Sequence, residues 1–413
     1  MNDKEFFIDS GQSLKLSAWE YLLLALSVLF IPVYPVIFIF YLLFILSADK
    51  GYKNFIIFFL LSIFIFLNTT RSVDNDLENY LSIYQFMNTS TLRGFFEDSN
   101  QFLVSFRLSE AVWYAITWTI SNLTNANEFV YIAFLTCAIY GIYYCGLKGL
   151  VEAIDGNTQV YILTILFGML VCINFSETTH LIRQYICGSV LFLQFVWIFR
   201  KQYLKVFLGF VPAMLIHNSL IVPFFIMIIS YLFFTQKIIT NKILRIFLMP
   251  LITGAIIGFA LNRFVSQYNY EASDSSGGVF FSMALDVATY LITLGFFLYS
   301  KNKRQINILV EGYLIFCLMF AACLFFLRSN MILYLRFYLY LEWFRVFGLI
   351  SLMTLFPVFK RSGIVFIGFV IFCFLFFSLR ILRAPWLYGI DLMEVMSTNL
   401  FQILKPIFNN FTA

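Results

Sequence analysis

The chain has 413 residues, of which 61% are apolar types and only 12% are charged. A soluble domain carries about 25% charged residues, so a soluble enzyme, a disordered protein and a nucleic-acid binder are all excluded, and a net charge of +5 is no evidence for the last. What remains is an all-α polytopic membrane protein, unusually aromatic, with 54 Phe, 24 Tyr and 6 Trp.

A crossing helix needs about 20 apolar residues. Runs of that kind lie near 18–46, 54–69, 103–121, 129–147, 158–176, 183–199, 204–235, 244–262, 279–299, 306–327, 337–356 and 362–379. Run 18–46 holds Pro32 and Pro35 and reads as a kinked helix or a hairpin. Run 204–235 is too long for one crossing. Pro212, Pro223 and the triplet His217-Asn218-Ser219 interrupt it, so it reads as a broken helix hairpin whose arms meet at His217. The total is roughly 11–14 transmembrane helices in a single integral membrane domain, 1–413, without internal repeats. The first apolar run is long and lacks a small-residue cleavage site, so no removable signal peptide is expected. Seven cysteines lie in apolar runs without a CxxC pair and read as small buried residues. Tail 386–413 reads as external, with an amphipathic stretch near 390–408.

Placing the lysine-rich turns inside puts 10 Lys and 4 Arg with 4 acids on that side. The other side then holds 3 Lys and 10 Arg with 18 acids. Outside arginines do not serve the positive-inside rule and must answer to something anionic. Parity places both ends of run 103–121 on the outer side, and Arg107 and Glu110 are costly in a lipid-exposed crossing. Segment 70–127 therefore reads as one large external loop with a juxtamembrane or re-entrant helix, its Trp113 and Trp118 at the interface.

Four clusters on that side carry candidate chemistry. Arg71, Asp74, Asp76, Glu78 and Tyr80 follow an early crossing helix, and a carboxylate there can act as a general base on a hydroxyl. Glu177, His180, Arg183 and Gln184 open a later helix, where the helix N-terminus and a planar guanidinium both favour phosphate oxygens. His217 lies between apolar arms, where an ionisable residue must be paired. Arg336, Tyr340, Glu342 and Arg345 form the fourth cluster, with Glu342 and Arg345 an i,i+3 ion pair, and Arg263 and the Ser/Gly-rich loop 271–278 face the same side. His180 and His217 are the only histidines and lack an i,i+4 partner, so no zinc site is expected; nor is any other metal or cofactor.

These motifs resemble the EpsG-type branch of the Wzy polysaccharide (O-antigen) polymerases. The R…D-x-x-x-Y pattern reads Arg71…Asp76-x-x-x-Tyr80, without the glycine that commonly precedes the aspartate. A glutamate opening the next helix is matched by Glu110, an R-Q helix start by Arg183-Gln184, and an H-x-S element by His217-Asn218-Ser219. Arg336 and Tyr340 match a late arginine-tyrosine segment. The resemblance implies a GT-C-like fold with a large first external loop, and an enzyme of the bacterial inner membrane whose active site faces the periplasm. Its substrates would be undecaprenyl-pyrophosphate-linked oligosaccharide repeat units, joined into O antigen or a related surface polysaccharide. A flippase and a chain-length regulator of the Wzz type are the implied partners, beside the lipid bilayer. Asp76, with Asp74 second, would deprotonate or orient the acceptor hydroxyl, and Arg183 and Arg336, with Arg71, would hold the pyrophosphate. His217 would orient an acceptor or phosphate oxygen. A transporter or flippase for lipid-linked saccharides would use the same arginines, and a membrane acyltransferase is a third possibility.

Overall fold

A computed structural model describes residues 53–69, 71, 73, 75–97, 110–153, 158–235, 241, 244–265, 277–299, 304–356 and 363–382. The expectations for 18–46, for the tail 386–413, for Asp74 and for loop 271–276 lie outside the described residues. The described residues contain helices and no strand. In chain order the helices are α1 (Lys53–Thr69), α2 (Asn75–Asn88), α3 (Leu92–Glu97), α4 (Ala111–Thr124), α5 (Glu128–Ala153), α6 (Thr158–Phe167), α7 (Ile182–Phe199), α8 (Tyr203–Met214), α9 (Ile221–Thr235), α10 (Met249–Val265), α11 (Gly277–Tyr299), α12 (Arg304–Leu327), α13 (Met331–Glu342), α14 (Val346–Leu355) and α15 (Gly363–Leu382). Single π-helical turns, Gly168–Cys172 and Leu244–Leu248, extend α6 and precede α10. The protein is an all-α, multi-pass membrane protein. Six of its described spans are long and apolar enough to cross a membrane, and five shorter apolar helices accompany them.

The chain divides into two compact units, Met1–Ser72 with Ser378–Ala413, and Val73–Phe377. The first contains α1, with Leu60, Phe64 and Leu67 buried. The second is built around α7, which is buried on nearly all sides and packs against α5, α8, α9, α12 and α13. Lipid is as apolar as leucine, so helices here associate through close packing and interhelical hydrogen bonds. The aromatic composition supplies the packing: Phe195 meets Phe344 at a centroid distance of 5.2 Å, Tyr143 meets Trp343 at 4.8 Å and Tyr313 stacks on Phe347 at 4.7 Å. Each such pair contributes about 1 kcal/mol beyond area burial. Gly254 and Gly258, four residues apart on α10, face α12 closely. A Cβ at either would strike a backbone carbonyl oxygen, of Met319 or Cys323. At Gly188 on α7 a Cβ would run into the Trp343 indole, so only glycine lets that ring lie against the helix. The seven cysteines are free, and five are buried. Cys145, expected to be buried, is instead exposed on α5.

Sequence periodicity expects one helix over 337–356. The chain there runs as a single apolar span, Leu333–Leu355, in which Trp343–Arg345 form a tighter turn between α13 and α14 while Trp343 and Arg345 keep right-handed helical angles. Arg345 lies in that turn, and its side chain is fully buried. Its Nε reaches Asp286 Oδ1 at 2.6 Å and its Nη2 reaches Asp286 Oδ2 at 3.0 Å. Its Nη1 donates to the Cys172 carbonyl at 3.1 Å, one of the acceptors that the end of a helix leaves unmatched. Glu342 stands 3.4 Å from Arg345, as the i,i+3 pairing anticipates, and accepts from the Tyr185 hydroxyl and the Asn174 amide. Tyr338 donates to Asp286 as well. The main partner of Arg345 is thus Asp286, in the middle of an apolar helix. A second buried pair, Arg245 with Glu311, joins the turn before α10 to α12. Removing one member of a buried pair leaves the other uncompensated. Asp286→Ala should therefore lower stability by about 3 kcal/mol, read as a fall in the unfolding midpoint of the purified protein in detergent. An unchanged midpoint would show that Glu342 alone satisfies Arg345.

Candidate functional site

The site begins on α2. Asp76, Asn79, Tyr80 and Ile83 share one helical face and line a cavity of about 430 Å³. The opposite face, with Leu77, Leu81 and Tyr84, is buried. Tyr84 fixes α2 against its neighbours. Its hydroxyl lies 2.5 Å from Thr124 Oγ1, its carbonyl accepts from Ser121 at 2.6 Å, and its ring stacks on Tyr131 at 4.1 Å. Trp118 donates to the Ser90 carbonyl at 2.9 Å. Trp113 is 2% exposed and meets Tyr80 edge-on at 5.7 Å, so it is a core residue beside the cavity and not a membrane-interface anchor.

The other walls come from α7, from the break between α8 and α9, and from α13. Arg183 and Gln184 occupy the first turn of α7. Pro212 lies inside α8 and Pro223 in the first turn of α9, where its missing N–H costs nothing. Between them His217 is extended, at φ −156° and ψ 119°, and leads into the 3-10 turn Asn218–Leu220. The Trp113 amide reaches the Leu215 carbonyl at 3.4 Å, which ties the start of α4 to this break.

Glu110 stands immediately before α4 and is 4% exposed. Its carboxylate does not cap the helix. One oxygen accepts from Arg183 Nη1, and the other lies 2.6 Å from His217 Nδ1. Arg183 Nε also donates to the Tyr80 hydroxyl at 3.3 Å, and the guanidinium lies 5.5 Å from the Tyr80 ring centroid. Burial pushes the Tyr80 phenol above its ordinary value, against the pull of Arg183, so it keeps its proton through the physiological range. Gln184 donates to the Arg336 carbonyl, and Ser219 and Tyr340, which do not line the cavity, share a hydrogen bond of 2.8 Å. Arg336 itself is exposed and lines the cavity with Arg183, His217 and Asp76.

The structure thus gathers Asp76, Tyr80, Arg183, Gln184, His217 and Arg336 around one cavity, with Glu110 buried behind it. His180, in the turn before α7, and Arg263, at the end of α10, do not line it. Arg71 is buried in the other compact unit. Among the described residues no group of three or more His, Cys, Asp or Glu is placed to hold a metal ion. Two features escaped sequence reasoning: the carboxylate shared by Arg183 and His217, and the Asp286–Arg345 pair. A lone acid inside an apolar helix was the available signal for the second.

Two guanidinium groups, an imidazole and a carboxylate around one cavity suit an anionic substrate that also offers a hydroxyl. The EpsG family matches residues 52–389, and the chain belongs to it. It is a family of Wzy-type polysaccharide polymerase-like membrane proteins. Comparison with curated proteins and with solved structures gives no match.

Glu110→Ala would leave Arg183 and His217 without their shared acceptor. The expected loss is about 2 kcal/mol, below the usual cost of breaking a buried pair, because the Arg183 side chain is 27% exposed. A thermal unfolding midpoint equal to that of the unaltered protein would contradict the shared contact.

Proposed function

We propose that the protein is a Wzy-type polysaccharide polymerase that joins lipid-pyrophosphate-linked oligosaccharide repeat units at the periplasmic face of the bacterial inner membrane. The observation that carries this reading is the cavity itself, in a chain of the EpsG family: two arginines on separate helices share its lining with a carboxylate and a histidine. The family motifs noted in the sequence supply these side chains.

The donor is a growing chain on undecaprenyl pyrophosphate, and the acceptor is a second lipid-linked unit. Its terminal hydroxyl attacks the anomeric carbon of the donor, and the lipid pyrophosphate leaves. Arg183 and Arg336 hold the pyrophosphate and offset the charge that develops on it as the bond breaks. Two points of attachment on different helices suit a diphosphate better than a single phosphate. Asp76, exposed in the first turn of α2, orients the incoming hydroxyl. Tyr80 restrains Arg183 through its hydroxyl and ring face, so the guanidinium is arranged before the substrate arrives. The energy comes from the pyrophosphate linkage, so no nucleotide sugar is required.

A polymerase and a transporter for lipid-linked saccharides would both need the arginines, but only one makes polymer. Purified protein in vesicles, supplied with lipid-linked repeat units, should form long chains without any added transporter. In cells, Arg183→Ala should abolish the ladder of long chains and leave lipid-linked single repeats. Arg336→Ala should lower polymer formation at least about 10-fold, the cost of one lost charge-assisted contact. Movement of units across the bilayer without polymer would favour transport.

A further inference from the structure

We propose that His217 is the general base of this polymerisation and that Glu110 is its positioning residue, an assignment that rests on the polymerase reading above. Two groups on the cavity could take the acceptor proton, Asp76 and His217. They differ in what holds them. Asp76 is exposed in the first turn of α2, where water competes for every contact. The His217 side chain is 18% exposed, and its ring is fixed from behind by a carboxylate that is itself 6% exposed.

The hydrogen-bond inventory sets the tautomer. Arg183 carries only donors, so Glu110 Oε2 accepts from it. Glu110 Oε1, 2.6 Å from His217 Nδ1, then accepts the Nδ1 proton. Nε2 is left with its lone pair, and among the described residues it has no hydrogen-bond partner. An imidazole with a buried carboxylate on one nitrogen and an open second nitrogen on a substrate-sized cavity is arranged to accept a proton. The carboxylate also stabilises the imidazolium that results. The charged and titratable groups around His217 are Glu110 beside α4 and Tyr114 on it, Arg183 and Cys187 on α7, Asp76 and Tyr80 on α2, and Arg336 on α13.

The step balances without any co-reactant. The acceptor O–H bond breaks and its proton passes to Nε2. The oxygen forms a bond to the donor's anomeric carbon. The bond from that carbon to the pyrophosphate oxygen breaks, and the electron pair leaves with the lipid pyrophosphate at Arg183 and Arg336. The proton on Nε2 then passes to water or to the departing pyrophosphate.

The test uses the full chain in vesicles, with lipid-linked single repeats extracted from source cells that lack this gene. His217→Asn keeps an N–H for Glu110 but removes the base. It should lower kcat at least about 100-fold, leave KM unchanged, and abolish the rise of kcat with pH expected of the unaltered protein. Asp76→Asn should lower the rate yet keep that rise. Glu110→Gln should lower kcat, and Glu110→Asp should recover part of the loss, because it restores a carboxylate. Full activity in His217→Asn would overturn the assignment. So would loss of the pH dependence in Asp76→Asn, a comparison that holds even if the His217 variant does not fold. No polymer from the unaltered protein would overturn the polymerase reading itself, and this assignment with it.

Discussion

One carboxylate organises the site. Glu110 accepts from Arg183 through one oxygen and from His217 through the other, in a region that is largely closed to water. Buried polar groups must find partners within the protein, and an unpaired charge there is costly. These three residues come from chain segments up to 107 positions apart, and each satisfies the others. The start of α4, the N-terminal turn of α7 and the break between α8 and α9 are thereby held at one point. The cavity forms beside that point, and α2 completes its lining with Asp76 and Tyr80, the latter against Arg183.

Helix α13 connects this cavity to the rest of the unit. Its residue 336 carbonyl is held by Gln184, which lines the cavity, and its Tyr340 by Ser219. Tyr338 and Glu342 belong instead to the network of Arg345 and Asp286. The backbone that carries Arg336 is therefore restrained from two sides while its side chain stays exposed. That combination suits a group that must reach a charged substrate and release it after each transfer.

Much of this was legible in the sequence. The spacing of Asp76 and Tyr80 places them on one helical face, the Arg183-Gln184 pair marks a helix start, and the two prolines around His217 announce a break. All of these are local properties of the chain, which is why they can be read without a structure. The partner of Glu110 was not legible, because nothing near position 110 says that residues 183 and 217 will meet it. Trp113 misled for a related reason. Its composition suits a membrane interface, and only the packing of α2 on α4 buries it. Asp286 was overlooked inside an apolar run although an acid there must have a partner. Arg263 and His180 satisfied a rule about side and charge, but the rule cannot tell one patch of a surface from another. The family membership speaks to the class of reaction, while the arrangement of the reacting groups rests on the geometry.

The most direct measurement is an experimentally determined structure of the full chain in a lipid nanodisc with a lipid-pyrophosphate-linked oligosaccharide bound. The account predicts the diphosphate between the guanidinium groups of Arg183 and Arg336, with the Glu110 carboxylate still bridging Arg183 and His217 behind it. A diphosphate bound away from these arginines, or Glu110 turned away from both of its partners, would contradict it.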